Sequence, residues 1–248
     1  MSSSATTDFF PNLQTSPPPE EAEDIVWPPC NLDSDEPPLE TDLHREQIDL
    51  LIRLLKWLWR EREDFYASGN LTVYYSPNQV KSRDFRGPDF FVVLNTEKRP
   101  RKSWTVWEEG GKYPNLIVEL LSESTAITDR TLKKELYQDI FRTPDYFWFD
   151  PQSLEFEGFH LVDGKYQPLS PTEQGWLWSE QLGLYLGIHE SQLRFFTPQG
   201  SLVASPEEAA VAAQKQLEAT QRQVDLEYQR NQRLLAKLQE LGFDPGPM

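Results

Sequence analysis

The segment LIVELL, residues Leu116–Leu121, contains five apolar residues and one carboxylate, Glu119. It follows Pro114 and Asn115, and a short apolar run bounded in this way is typical of a strand buried near the middle of a sheet. Burying a carboxylate in such a strand is costly unless the carboxylate is paired or bound to a cation. Glu119 therefore requires a charged partner or a metal ion.

A second apolar run, DFFVVLN, follows Pro88 and begins with Asp89. We predict that it forms a strand beside the one that carries Glu119. Two oxygen-donor side chains that converge across adjacent strands can hold one hard divalent cation such as Mg²⁺. Lys133, in the downstream segment DRTLKKELYQDI, supplies an ammonium group that can orient or deprotonate a water molecule, or offset charge on a phosphoryl oxygen. These residue types together suit phosphodiester hydrolysis.

The same residues also have a purely structural interpretation. Glu119 can pair with Lys133, or with an arginine, as a buried salt bridge, and perturbed carboxylates mark functional sites only statistically. The spacing alone leaves both interpretations open. Other chemistries have less support, because the sequence contains neither a Gly-rich phosphate loop nor a Cys/His zinc spacing.

The remaining periodicities predict an α/β domain around a mixed sheet. From His44 to about Asp64, apolar residues recur at spacings of three and four, which indicates an amphipathic helix capped by Thr41 or Asp42. A second helix is predicted from Asp129 to Phe141. The predicted strands lie near residues 70–76, 88–95, 115–121 and 145–149, and they are followed by a hairpin turning at Asp163–Gly164 and by short strands in LGLYLGIHE and LRFFTPQGSLV.

Composition indicates a globular protein of the cytosol. Hydrophobic residues make up 38% of the 248 residues, with 8 Trp and 14 Phe, so a sizeable core is available. No apolar run is long enough to span a bilayer, and no basic segment precedes an apolar stretch near residue 1. Cys30 is the only cysteine, so no internal disulfide is expected. We therefore expect a cytoplasmic protein with no membrane partner.

The charge is unevenly distributed along the chain. A net charge of −16 argues at first against a nucleic-acid partner. However, residues 1–43 contain ten Asp or Glu, eight of the twenty prolines and no Lys or Arg, which predicts a disordered acidic leader and leaves −6 for the rest. Two short basic stretches, Lys81–Arg86 and Arg99–Trp104, are candidate nucleic-acid patches, although such runs are also typical of solvated loops.

A long helix is predicted from Pro206 to Leu241. Proline at its first position, two glutamates in its first turn and Gly242 at its end are typical helix-end residues. Its stripe of Ala and Leu side chains is interrupted by Thr220 and Asn231, so the heptad repeat is imperfect. The pattern therefore does not decide whether this helix forms a coiled coil. We expect a homodimer through this exposed helix, because two sites related by a two-fold axis can address both strands of a duplex. The alternatives are a helix folded back on the domain and a monomeric surface helix.

Several of these segments together resemble the Uma-type family of putative restriction endonucleases, within the PD-(D/E)xK nuclease superfamily. The resemblance extends from about His44 to Leu186. Its family pattern matches Pro88–Asp89 at the opening of one strand and Glu119 before a Ser-rich turn. The other matched positions are the helix motif Asp129, Lys133 and Tyr137, the strand end Asp150–Pro151, and the upstream helix histidine His44.

This resemblance implies a restriction-endonuclease-like mixed sheet flanked by helices, followed here by a long C-terminal helix. The implied organisation is a leader at residues 1–43, a nuclease domain at residues 44–200 and a helical tail at residues 206–241. The implied activity is Mg²⁺-dependent hydrolysis of DNA phosphodiesters, with Mn²⁺ as a substitute. The implied site residues are Asp89, Glu119 and the backbone carbonyl of Leu120 as metal ligands, Lys133 acting on the attacking water, and His44 and Tyr137 in support.

The chain departs from the superfamily pattern in the position of its lysine. The wider superfamily places it two residues after the acid, where this chain has Leu121. The resembled family draws its lysine from the following helix, which makes Lys133 the replacement. Lys134 points about 100° away around a helix, so only one of the two is expected to face the carboxylates. The alternative is a non-catalytic interaction or regulatory protein that retains the nuclease scaffold. The excess of acidic over basic residues favours this alternative.

Overall fold

A six-stranded mixed sheet forms the centre of the protein. The computed structural model describes residues 29–34, 41–76, 87–122 and 129–242. Within them the strand order of this sheet is β1-β3-β5-β6-β7-β8. β5 and β6 run parallel, and the other neighbouring strands are antiparallel. The strands are β1 (Phe65–Ser68), β3 (Phe90–Leu94), β5 (Leu116–Leu120), β6 (Asp145–Phe149), β7 (Phe156–Val162) and β8 (Lys165–Pro168).

Three helices and two smaller sheets complete the described structure. A parallel pair consists of β2 (Val73–Tyr74) and β4 (Trp104–Thr105), and a three-stranded antiparallel sheet consists of β9 (Leu177–Ser179), β10 (Leu184–His189) and β11 (Gln192–Phe196). The helices are α1 (Asp42–Leu58), α2 and α3 (Pro206–Glu240). Helix α2 is built of three consecutive segments, the π-helical turns Asp129–Lys133 and Tyr137–Phe141 on either side of α-helical Lys134–Leu136.

The central sheet has a different core on each face, because successive side chains of a strand point to opposite faces. Phe90 and Val92 of β3 pack in one core together with the apolar side of α1 and the inner face of the three-stranded sheet. Phe91 and Val93 pack in the other core with Tyr137 of α2 and with the β2-β4 pair. The face that carries α2 is the one that receives Glu119 of β5.

A buried carboxylate joins the two larger sheets. Asp145, at the start of β6, accepts hydrogen bonds from the Ser179 hydroxyl at 2.5 Å and from the backbone N–H of Gln181 at 3.0 Å. The same carboxylate lies 2.7 Å from Nδ1 of His160 on β7. These contacts satisfy a side chain with no solvent exposure, and they fix β9 against the start of β6.

The sequence correctly predicts the α/β class, the mixed sheet and the long C-terminal helix. The strands expected near residues 88–95, 115–121 and 145–149 are adjacent as β3, β5 and β6. The hairpin at Asp163–Gly164 joins β7 to β8, with Val162 paired to Lys165. Thr41 is the cap of α1, since its hydroxyl accepts the backbone N–H of His44.

Two details differ from the sequence-based prediction. Helix α1 ends at Leu58 and not near Asp64. The chain then turns, with the Trp59 ring packed edge-on against Phe65 at 5.1 Å, and enters β1. The periodicity of the sequence did not reveal this strand. The strand expected at residues 70–76 shrinks to Val73–Tyr74 and pairs with β4, outside the central sheet.

The predicted leader lies mostly outside the described residues. Of its described residues, 29–34 contact the domain: the Ser103 hydroxyl donates to the Leu32 carbonyl at 2.7 Å, and the Tyr74 hydroxyl donates to the Asp33 carbonyl at 3.0 Å. Residues 41–43, which were also predicted as leader, form the cap and the start of helix α1. Helix α1 begins at Asp42. None of the described helices is both long and apolar enough to traverse a lipid bilayer.

Candidate active site

Asp89 and Glu119 meet across the β3-β5 pair. The antiparallel register pairs Phe90 with Val118, so Asp89, which precedes Phe90, and Glu119, which follows Val118, are neighbours at the start of β3. The backbone N–H of Leu120 donates a hydrogen bond of 2.8 Å to Oδ2 of Asp89. The two carboxyl groups are close enough to hydrogen bond to each other. The convergence predicted from the two strand patterns is therefore present.

Helix α2 supplies two further side chains to this pair. Nζ of Lys133 lies 2.9 Å from Oε2 of Glu119, and the Tyr137 hydroxyl donates a hydrogen bond of 2.6 Å to Oε1. Lys133 and Tyr137 are four residues apart, a spacing that places both side chains on one side of a helix. The π-helical turns that contain them are a feature found frequently at functional sites.

The site buries its carboxylate completely but not its ammonium group. Glu119 has no solvent exposure, whereas the Lys133 side chain is 15% exposed. Burial and, to a smaller extent, the neighbouring Asp89 carboxyl together raise the pKa of Glu119 to about 8, against the opposing effects of the Lys133 ammonium and the Tyr137 hydrogen bond. At neutral pH this shift favours the protonated form of Glu119 when no cation is bound.

The side chains of the two adjacent lysines of α2 contact different partners, as expected. Lys133 contacts Glu119, whereas Nζ of Lys134 lies 3.4 Å from the ring centroid of Phe159 and 5.4 Å from that of Trp148. Contact with the rings is a cation–π interaction. Lys134 is thus a chemically matched neighbour that does not contact the carboxylates.

His44 does not join this set. It lies on α1, which packs on the opposite face of the central sheet, and its Nδ1 is 2.8 Å from the Thr41 hydroxyl. Its Nε2 is buried without a hydrogen-bond partner among the described residues.

The Asp150 side chain caps the turn after β6. It accepts hydrogen bonds from the backbone N–H of Gln152 at 2.8 Å and from the hydroxyl of Ser153 at 2.7 Å.

Two residues that hold the backbone of Asp89, Gly69 and Asn70, were not predicted from the sequence. The backbone N–H of Asn70 donates to the Asp89 carbonyl at 3.1 Å, and a Cβ atom on Gly69 would collide with that carbonyl oxygen and with Ile48. Asn70 has a φ of 45°, a conformation that asparagine tolerates better than most residues. The Gly-Asn pair was a visible turn signal, but nothing in the sequence tied it to Asp89.

The donor set fits one hard divalent cation. The two carboxyl groups of Asp89 and Glu119 are oxygen ligands of the kind that Mg²⁺ uses with few protein contacts and several waters. Across the described ranges no group of three or more His, Cys, Asp or Glu side chains is arranged to hold a metal ion. Asp89 and Glu119 would therefore rely on backbone oxygen, water or substrate oxygen to complete a coordination shell.

The basic stretch at Arg99–Trp104 is largely neutralised within the domain. Arg99 and Arg101 both contact one carboxylate, that of Glu109, at 2.7 and 2.6 Å. Arg101 is buried, and its guanidinium lies over the rings of Tyr66 and Trp104. The other candidate patch, Lys81–Arg86, lies outside the described residues.

Comparison with known proteins relates the chain to a protein family and to a solved structure. The model of the Uma2 family, described as "Putative restriction endonuclease", matches residues 35–199. A solved structure, described as a putative nuclease belonging to DUF820 from Anabaena variabilis ATCC 29413, is 12% identical; the match covers 59% of this chain and 76% of that chain, with a TM-score of 0.43. The comparison with curated proteins gives no match.

Proposed function

Because this chain belongs to the Uma2 family of putative restriction endonucleases, we propose that it is a Mg²⁺- or Mn²⁺-dependent endonuclease that hydrolyses phosphodiester bonds of DNA. The observation that carries the proposal is the buried Glu119 carboxylate, which lies beside Asp89 on one strand and beside Lys133 and Tyr137 on a helix. A structural salt bridge needs one acid and one base. A second carboxyl group at the same place adds repulsion, which a divalent cation would relieve.

Asp89, Glu119 and the carbonyl of Leu120 would hold the ion. When bound, it would polarise a phosphoryl oxygen and lower the pKa of water. The Leu120 N–H fixes one oxygen of Asp89 through a hydrogen bond of 2.8 Å. The Lys133 ammonium, partly exposed beside Glu119, would orient the attacking water or offset charge on the phosphoryl group. Tyr137 would hold Glu119 in position through its short hydrogen bond.

Metal binding is the first test of this proposal. Calorimetric titration of Mg²⁺ and Mn²⁺ into the wild-type protein is expected to show one site, and Asp89→Ala is expected to weaken it by roughly 10- to 100-fold or more, because one of two carboxylate ligands is lost. Glu135→Ala, at an exposed acidic residue of α2, is the matched control and should retain wild-type affinity. Equal affinities for all three proteins would exclude Asp89 as a ligand.

The competing function is a non-catalytic interaction protein on a nuclease scaffold. It is favoured by the Glu119–Lys133 contact, which by itself resembles a structural ion pair, and by the neutralised arginines at Arg99 and Arg101. This function predicts no metal site and no cleavage in any divalent cation. It therefore gives a different outcome from the enzyme in the same titration.

We also propose that α3 pairs with a second copy to form a homodimer. Its apolar residues remain exposed on the single chain, with Leu217, Leu234 and Leu238 at 64%, 50% and 41%. Isolated long helices gain most of their stability from covering an apolar face. A second copy presents the same face and can cover it.

Charged substitutions on and off the apolar stripe test the dimer in the full-length protein. Leu234→Glu is expected to shift the mass measured by light scattering from dimer to monomer, because it buries a charge in the interface. Leu226→Glu is the matched control, since Leu226 is 65% exposed on another side of the same helix. A wild-type protein that is monomeric at all concentrations would contradict self-association.

A further inference from the structure

Helix α3 is attached to the domain only through its first turn, within the described residues. The Ser205 hydroxyl and the Glu208 side chain form a capping box, Glu208 pairs with Arg194 at 2.7 Å, and Glu207 pairs with Arg53 at 2.8 Å. From Ala210 to Gly242 every side chain is exposed except the partly buried Leu235. At 1.5 Å per residue, its 35 residues extend about 52 Å.

The apolar stripe of α3 follows a heptad repeat with two polar positions near its centre. With Leu217 assigned to position a, every later a and d position is fixed by the repeat of seven. The a positions are Leu217, Val224, Asn231 and Leu238, and the d positions are Thr220, Glu227, Leu234 and Leu241. The polar residues Glu227 and Asn231 are the central pair of this series, and residue 229 is its midpoint.

A parallel, in-register pair fits this series poorly. In that arrangement each residue of the stripe faces its own copy. Glu227 would then face Glu227 of the second copy inside the interface, where like charges in a dehydrated layer are destabilising. Asn231 would face Asn231, which leaves the two glutamates without an opposing donor.

We propose that α3 pairs with a second copy of itself in antiparallel orientation, centred on residue 229. In antiparallel coiled coils a positions face d positions of the opposing helix. Leu217 then faces Leu241 of the second copy, Thr220 faces Leu238, Val224 faces Leu234, and Glu227 faces Asn231. The Asn231 amide donates to the Glu227 carboxylate, so the polar layers satisfy each other and the apolar layers lie on both sides.

Neighbouring antiparallel registers are less favourable. A shift by one heptad in one direction places Glu227 against Val224, and a shift in the other direction places it against Leu238. Either shift buries a carboxylate against an aliphatic side chain with no donor, which is costly. The order of residues along the stripe therefore selects one register.

This orientation separates the two catalytic domains, and this consequence rests on the nuclease function proposed above. The two Pro206 residues would lie about 70 Å apart along the pair, as about 46 residues of helical rise separate them. A domain of about 160 residues has a radius of gyration of roughly 15 Å, whereas the grooves of duplex DNA are only about 12 and 6 Å wide. The two sites would therefore cut independently and leave nicks, in contrast to the coordinated cleavage of both strands expected from the sequence.

Pulsed dipolar spectroscopy on the full-length protein tests the orientation. Spin labels would be placed at Lys215→Cys or at Arg222→Cys, both exposed and off the stripe, in a Cys30→Ser background. The antiparallel pair predicts axial label separations of about 42 Å at residue 215 and about 21 Å at residue 222, shortening toward residue 229. A parallel pair predicts short and equal separations at both positions, which would overturn the proposal.

The contact between Glu227 and Asn231 gives an independent measurement. Glu227→Ala alone should weaken dimerisation roughly tenfold, the equivalent of one good hydrogen bond. When Asn231→Ala is already present, Glu227→Ala should instead restore affinity, because the Glu227 carboxylate then has no donor. Parallel pairing predicts the opposite sign, since removing Glu227 would relieve repulsion and tighten the dimer. A monomer in light scattering would overturn the pairing altogether, while metal binding and cleavage would still test the nuclease proposal separately.

Discussion

Lys133→Met is expected to reduce the rate of DNA cleavage by roughly 10²- to 10⁴-fold, the range typical for loss of a group that orients a nucleophile or stabilises developing charge. The substitution removes the only ammonium group seen to contact Glu119 among the described residues. It keeps an unbranched side chain of similar length, so packing of α2 should be retained. The rate would be measured as conversion of supercoiled plasmid to its nicked form.

Lys134→Met is the matched control for this prediction. The two lysines are adjacent on α2, but Lys134 lies over the ring of Phe159 and does not contact the carboxylates. Its substitution is expected to lower stability by about 0.5–2 kcal/mol, the range for a partly buried cation–π contact, and to change cleavage by less than about threefold. Equal loss of cleavage in both variants would mean that α2 acts through folding and not through Lys133.

Glu119 is expected to make the metal-free protein less stable as pH rises. Burial raises the pKa of Glu119 to about 8 in the folded protein, above its ordinary value of 4.5. Between these two values the folded protein retains a proton that the unfolded chain has released, so the free energy of unfolding falls as pH increases. The loss across this window is on the order of a few kcal/mol, and it would be measured by urea unfolding in EDTA at pH 5, 7 and 9.

Glu119→Gln isolates the origin of that pH dependence. A glutamine side chain does not ionise, so the variant should lose most of the decline between pH 5 and pH 8. Glu135→Gln, on the exposed side of α2, should keep the wild-type slope. An unchanged slope in Glu119→Gln would show that another group carries the titration. Saturating Mg²⁺ should raise wild-type stability at pH 8, because a ligand that binds only the folded protein stabilises it.

The sequence predicted the centre of this fold better than its edges. The strands at Asp89 and Glu119 are short apolar runs with clear boundaries, and their adjacency was predicted from these runs together with the matched family motif. The lysine assignment depended on the family resemblance, because periodicity shows only that Lys133 and Lys134 point in different directions. Strand β1 was missed because it has only four residues, FYAS, which directly follow the charged end predicted for α1.

Other features depend on contacts between distant residues, which one sequence does not reveal. The neutralisation of Arg99 and Arg101 requires Glu109, brought close by a loop. The position of Asp89 depends on Asn70, 19 residues earlier, through a backbone hydrogen bond. His44 matched the family pattern, but its helix packs on the face of the sheet opposite Glu119, which is a property of tertiary packing and not of local sequence.

The most direct test of the nuclease proposal is a plasmid-nicking assay on wild-type protein and Asp89→Ala side by side. Each protein would be incubated with supercoiled plasmid in Mg²⁺, in Mn²⁺ and in EDTA. Nicking by the wild type in Mg²⁺ or Mn²⁺, its absence in EDTA, and its loss in Asp89→Ala are the expected results. No nicking in either cation, or equal nicking by both proteins regardless of metal, would contradict metal-dependent catalysis at Asp89 and Glu119.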